Sequence, residues 1–85
     1  MAGAIYSAAQ QSFAREFANL RKESGLTQTD LANRIGKHQS YISDIERGQR
    51  RVDVLELFVL AHAMRMRPLD LYARVTAEIP DDFQL

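Results

Sequence analysis

At 85 residues and without cysteine, the chain is sized for one domain and excludes a disulfide framework or a Cys-based metal site. Its apolar share of 46% and charged share of 26% are those of a folded globular chain, which argues against global disorder. Basic and acidic residues cancel at 11 each, so any face for a polyanion has to come from local clustering rather than net charge. No apolar run approaches the ~20 residues of a spanning helix; the longest candidate, Val54 to Met64, is interrupted by Glu56 and His62. Met1 to Tyr6 carries no basic region ahead of its apolar residues, so no signal peptide is expected. With no cysteine to protect, a cytoplasmic location is expected, with no membrane partner.

Glycine and proline punctuate the chain at Gly25, Gly36, Gly48, Pro68 and Pro80. From about Ser7 to Ser24, Ala9, Phe13, Phe17 and Leu20 recur at helical spacing, and Gly25 suits the left-handed residue that closes a helix. A second helix starts at Thr27, where Thr27 and Asp30 resemble a capping box; Leu31, Ala32 and Ile35 form its apolar stripe and Gly36 stops it. A third runs roughly from Gln39 to Arg47 with Ile42 and Ile45 inward, closed by Gly48. A fourth opens with Asp53 and Glu56, an N-cap with an acid three residues on, and extends through Met64. A fifth begins at Pro68, a residue suited to the first helical turn, and carries Leu69, Leu71, Tyr72 and Val75. No stretch alternates long enough for a strand. The expected architecture is all-α, five helices in a single domain over 1–85, with a core of about 7–77 and a tail at 78–85.

The informative stretch is Gly25 to Gly48: a short helix, a tight turn containing glycine, and a second short helix held outward. A major groove about 12 Å wide accepts one helix. Positions Gln39, Ser40, Ser43, Asp44 and Arg47 share one face of that outer helix, opposite Ile42 and Ile45. A glutamine amide at the first turn can pair with adenine N6 and N7, and a serine hydroxyl can donate or accept beside it. Periodicity alone does not separate this face from any solvated helix. Between Arg34 and Arg51 lie Arg34, Lys37, Arg47, Arg50 and Arg51 against Asp44 and Glu46, whereas Asp70, Glu78, Asp81 and Asp82 outnumber Arg74 from Asp70 onward. The basic stretch and the acidic tail thus segregate along the chain.

Leu26-Thr27-Gln28, Leu31-Ala32, Gly36, Gln39-Ser40-Tyr41-Ile42-Ser43 and Ile45-Glu46-Arg47-Gly48 together resemble the Xre/Cro/lambda-repressor family of helix-turn-helix regulators, over about Arg15 to Val75. The resemblance implies a five-helix, lambda-repressor-like domain that binds double-stranded operator DNA, usually as a dimer on palindromic half-sites. Carried over by position, it implies that Gln28 contacts a phosphate and supports Gln39. It also implies that Gln39, Ser40 and Asp44 face base edges, and that Arg21 and Glu46 form a structural pair tying the first helix to the third. The candidate DNA-binding set is Gln28, Lys37, His38, Gln39, Ser40, Tyr41, Ser43, Asp44, Arg47, Arg50 and Arg51, with Arg50 and Arg51 placed at the phosphate backbone. Asp44 departs from the family's usual uncharged contact residue: it can accept from cytosine N4 or repel phosphate, and both readings stay open. The short length resembles Cro-like proteins, restriction–modification controller proteins and some antitoxins, with a tilt toward the controller type.

The fourth helix is nearly apolar all round, and such a helix has to be covered. Val54, Leu57, Leu60, Ala61 and Met64 are assigned to the core, which leaves Leu55, Phe58 and Val59 surplus; with Leu69 and Tyr72 they form the expected homodimer interface. A protein of the same fold could instead use this surface as an antitoxin or interaction module, with a toxin or RNA polymerase as partner. His38 is read as a polar turn residue or phosphate contact and His62 as packed or interfacial. Two histidines without cysteine or clustered acids make no metal site, no cofactor is expected, and no nucleophile elbow or phosphate loop points to an enzyme.

Overall fold

The computed structural model describes residues 7–85; Met1 to Tyr6, on which the signal-peptide expectation rests, lie outside the described residues. Five helices and no strand occur among the described residues: α1 (Ala8–Glu23), α2 (Gln28–Arg34), α3 (Gln39–Glu46), α4 (Val54–Ala63) and α5 (Pro68–Val75). Their starts are set by side chains that satisfy orphan backbone donors. The Ser7 hydroxyl accepts from Gln10 N–H at 3.1 Å. Thr27 and Asp30 form a reciprocal capping box on α2, the Asp30 N–H donating to Thr27 Oγ1 at 3.0 Å and the Thr27 N–H to Asp30 Oδ2 at 2.9 Å. Asp53 and Glu56 repeat the arrangement on α4 at 2.7 and 2.9 Å. α5 has no side-chain cap and starts instead on Pro68, whose ring fixes φ for the first turn and whose missing N–H is one the helix cannot use.

Helix α1 ends through Gly25 at φ +78°, which lets Leu26 N–H reach back to Arg21 C=O. The α4–α5 connection solves the same problem without glycine. Arg65 occupies the left-handed region at φ +58°, and Met66 N–H returns to Ala61 C=O at 2.9 Å. An arginine gives no sequence sign of this conformation.

The core draws on all five helices. Phe17 and Leu20 from α1, Leu31 and Ala32 from α2, Ile42 and Ile45 from α3, Leu60 and Ala61 from α4, and Leu71 and Val75 from α5 are buried, with Met64 just past α4. Each fully buried Leu, Ile, Val or Phe contributes roughly 1.5–3 kcal/mol against remaining exposed. Ile42 and Ile45 thereby fix the roll of α3 and turn its polar face outward. Val54 corrects one expectation: it is 78% exposed rather than in the core, because it is the first residue after the Asp53 cap, before α4 reaches the centre. Leu57 is half-buried at the core margin. Hydrogen-bonded turns continue past α5, with Ile79 N–H donating to Thr76 C=O and Phe83 N–H to Pro80 C=O.

Candidate nucleic-acid interface

Helix α3 is presented by a turn that His38 closes. His38 is the N-cap of α3: its Nδ1 accepts from the Ser40 N–H at 3.1 Å and lies 3.0 Å from Ser40 Oγ. His38 thus acts as the cap at the tip of the helix.

Beneath that tip runs a polar chain that begins in the core. Arg21 and Glu46 form a bidentate pair, Nε to Oε2 at 2.6 Å and Nη2 to Oε1 at 3.0 Å, with side chains only 10% and 7% exposed. The remaining Arg21 nitrogen, Nη1, donates to Leu26 C=O at 2.8 Å. This joins α1 to both the turn before α2 and the last turn of α3. Gln28 Nε2 then donates to Glu46 Oε1 at 3.0 Å, and Gln39 Nε2 donates to Gln28 Oε1 at 2.5 Å. Glutamine amides rotate easily in solution; here each one's orientation is dictated by the next, ending at a carboxylate that an arginine fixes. Gln39 is thus held with its amide plane set before any ligand arrives.

The rest of the outward face is polar. Ser40 is exposed, Ser43 and Asp44 are half-exposed, and Arg47 Nη2 donates to Asp44 Oδ1. Tyr41 lies to one side of this row, between two cations: Lys37 Nζ is 5.5 Å and the Arg50 guanidinium 4.6 Å from its ring centroid. Burial pushes the Tyr41 hydroxyl above its ordinary value, reinforced by nearby Glu56.

Arg50 is the site residue whose surroundings differ most from expectation. The sequence places it at the phosphate backbone; in the structure its side chain, 40% exposed, is also engaged within the fold. Its Nη2 donates to Glu56, it stacks on Tyr41, and its Nε is buried without an acceptor. Burial works against its cation, yet Tyr41 and Glu56 outweigh that and hold its pKa above the usual guanidinium value. Burial likewise works to raise Glu56, but the Asp53 N–H, Tyr41 and Arg50 together leave its carboxyl below the usual range. Arg51, next along the loop, is exposed and makes no ion pair among the described residues.

Two residues outside the candidate set hold this loop. Gln10 Nε2 donates to Arg50 C=O at 3.3 Å, and the Gln11 side chain packs so closely under Gly48 that a Cβ there would lie 2.4 Å from Gln11 Nε2. The mobile end of Gln11 could give way, but Gly48 also sits at φ +72°, where any other residue is strained. The signal in the sequence is slight: two glutamines near the start of a helix, some 40 positions from the loop they touch.

Elsewhere on the surface, Val54, Leu55, Phe58 and Val59 of α4 and Leu69 and Tyr72 of α5 are exposed at 78, 77, 54, 47, 72 and 56%. His62 is exposed and packs against Phe58 in a tilted arrangement with ring centroids 4.5 Å apart. No group of His, Asp or Glu among the described residues is arranged to hold a metal ion. No helix among the described residues is long and apolar enough to cross a membrane.

A family model described as helix-turn-helix matches residues 17–71, taking in all of α2, α3 and α4 and reaching into α1 and α5. The uncharacterized HTH-type transcriptional regulator y4dJ of Sinorhizobium fredii (strain NBRC 101917 / NGR234) is 44% identical over 55 residues, covering 65% of this chain and 71% of its own. Among solved structures, the restriction-modification controller protein C.AhdI from Aeromonas hydrophila is similar with a TM-score of 0.71 and 35% identity, over 76% of this chain and 98% of that one. The restriction-modification controller protein C.Esp1396I, as a tetramer in complex with its natural 35 base-pair operator, is similar with a TM-score of 0.74 and 26% identity, over 86% of this chain and 96% of that one. The matched span contains the outward α3, its polar support and the α4 face, and the chain belongs to the helix-turn-helix family of transcriptional regulators.

Proposed function

We propose that this protein regulates transcription in the cytoplasm by sequence-specific binding of double-stranded DNA. It inserts α3 into the major groove and acts as a homodimer on a palindromic operator. The observation that carries this reading is the chain of hydrogen bonds from the buried Arg21–Glu46 pair through Gln28 to Gln39. An amide fixed at the first turn of an exposed helix is preorganised for a bidentate contact with adenine, and each such pair discriminates by roughly 1–3 kcal/mol. Ser40 and Ser43 extend the readout. Lys37 and Arg51 supply backbone contacts that set register without reading sequence. The operator complex of C.Esp1396I supports the assignment by analogy of fold and position. The protein performs no catalysis in this reading: its surface offers directed hydrogen bonds and charge, not a nucleophile with a base.

The apolar face of α4 and α5 supports the homodimer. Six large apolar side chains exposed on adjacent helices exceed the scattered exposure normal on a monomer, and a two-fold copy of the same face covers them. Such a dimer on two half-sites sets the α3 helices about 34 Å apart, one turn of DNA.

Selection of bound duplexes from a random pool at near-physiological salt tests the proposal. Enrichment of a palindrome with half-sites about one helical turn apart is the expected result. Gln39→Ala then relaxes preference at one base pair per half-site and costs about 1–3 kcal/mol on the cognate duplex. No enriched sequence, with binding that disappears as salt rises, leaves only electrostatic affinity and refutes it.

A further inference from the structure

Asp44 stands on the groove-facing row of α3 as a carboxylate among phosphates. Double-stranded DNA places one negative charge every ~1.7 Å along its axis, so an unpaired Asp44 there opposes binding. It is paired in this structure. Arg47 Nη2 donates to Asp44 Oδ1 across one helical turn. Both side chains are substantially exposed, at 40% for Asp44 and 59% for Arg47, and an exposed pair of this kind adds little to folding stability. Its consequence is directional. Arg47 is the C-cap of α3, the end farthest from the Gln39–Ser40 tip. An arginine there with no tether reaches outward to phosphate. The bond to Asp44 draws its guanidinium back toward the tip, the direction in which helical side chains already lean and in which base edges lie. Asp44 precedes Arg47 in the chain, the favourable order of an acid and a base on a helix. One N–H is spent on Asp44, and the planar fork retains four more, enough for guanine O6 and N7 together.

We infer that Asp44 is a positioning residue that aims Arg47 at a guanine in the operator and contacts no base itself. The inference rests on the DNA-binding reading above, and it gives Asp44 a third role beside the two the sequence left open, a contact to cytosine N4 and repulsion of phosphate. Asp44 Oδ1 accepts from Arg47 while Oδ2 stays available, so the test below is built to separate aiming of Arg47 from a direct contact to cytosine N4.

The test uses the duplex enriched from a random pool by the wild-type protein, with each base pair of one half-site replaced in turn. Affinities are measured for wild type, Asp44→Ala, Asp44→Asn, Arg47→Ala and the double variant; unchanged helical circular dichroism establishes that all are folded. Arg47→Ala is expected to lose about tenfold or more of the preference for guanine at one position. Asp44→Ala and Asp44→Asn weaken preference at that same position. In the Arg47→Ala background, Asp44→Ala changes no preference at all. Replacing that guanine by 7-deazaguanine, which lacks N7 but keeps O6, narrows the difference between wild type and Arg47→Ala. A preference lost on Asp44→Ala at a different base pair, or still lost in the Arg47→Ala background, overturns the inference, because Asp44 then reads a base directly. Equal effects of Arg47→Ala on every duplex also overturn it, placing Arg47 on phosphate. Each of these results leaves the regulator reading intact. Failure of the wild-type protein to enrich any duplex overturns both.

Discussion

Glu46→Ala is expected to remove a large fraction of the fold's stability. Glu46 accepts from both Arg21 Nε and Nη2 and from Gln28 Nε2, in a site where the two charged side chains are 7% and 10% exposed. Truncation leaves the guanidinium in the core with only Leu26 C=O as partner. Breaking a buried pair from one side costs about 3–5 kcal/mol, since the stranded charge keeps its desolvation penalty. The whole domain, at roughly 0.05–0.15 kcal/mol per residue, has about 4–13 kcal/mol to lose. In thermal terms the loss is a fall in Tm of at least roughly 12 °C for a domain this size. Urea unfolding followed by circular dichroism, at one fixed protomer concentration because a dimer's stability depends on it, measures the change. The double variant Arg21→Met with Glu46→Leu removes both charges and is expected to fold within about 1–2 kcal/mol of wild type. It nevertheless loses DNA discrimination, because Gln28 no longer has an acceptor and Gln39 is no longer oriented. A Glu46→Ala loss under about 1 kcal/mol would refute the reasoning, since the pair would then be hydrated and its link to Gln39 incidental.

Three further expectations follow from other parts of the molecule. Arg51→Ala weakens binding to all sequences and lowers the salt slope by about one, whereas Arg50→Ala acts first on stability by releasing Glu56 and Tyr41; salt titrations and urea melts of the two variants distinguish them. Leu55→Glu combined with Phe58→Glu leaves the fold intact and yields protomers where wild type sediments as a dimer, because both side chains are exposed on α4. The Thr27 N–H and hydroxyl hold the Asp30 carboxyl below its ordinary value, and Glu56 is lowered as described above. Both are depressed in the fold, so their contribution is complete above the ordinary carboxylate range and is lost as pH falls through about 4 and below; urea midpoints across pH 3–6 should show this decline, flattened in Asp30→Asn.

Local physics made most of the fold legible. Thr27 with Asp30, Asp53 with Glu56, and Pro68 are residues whose effect is complete within one turn, and each starts the helix it marks. Arg65 carries no such signal because a left-handed residue without glycine is imposed by the closing bond from Met66 to Ala61, not by its own preference. Val54 departs from the expected core for a different reason. A helix apolar on every side has no phase, so its pattern cannot say which residues face in. At the site, the Gln39 and Ser40 positions follow from motif spacing, but Arg50 depends on partners from α3 and α4, and Gln10 on a carbonyl 40 positions away. Such contacts exist only after folding brings the elements together.

The same pairings reconcile a neutral chain with a polyanionic partner. The carboxylates around α3 are all engaged: Glu46 with Arg21, Asp44 with Arg47, Glu56 with Arg50, and Asp30 in its capping box. The charges of Glu46, Asp44 and Glu56 are compensated within a few ångströms by these arginines, and little of their field reaches beyond a Debye length, about 8 Å at physiological salt. Lys37 and Arg51 have no such carboxylate partner among the described residues. The acids that balance them in the composition, Asp70, Asp81 and Asp82, belong to α5 and the tail. The field at α3 is therefore set by a few unpaired cations rather than by the sum over the chain. Neutralising Lys37 and Arg51 should consequently reduce DNA affinity far more than removing the same number of charges from α5.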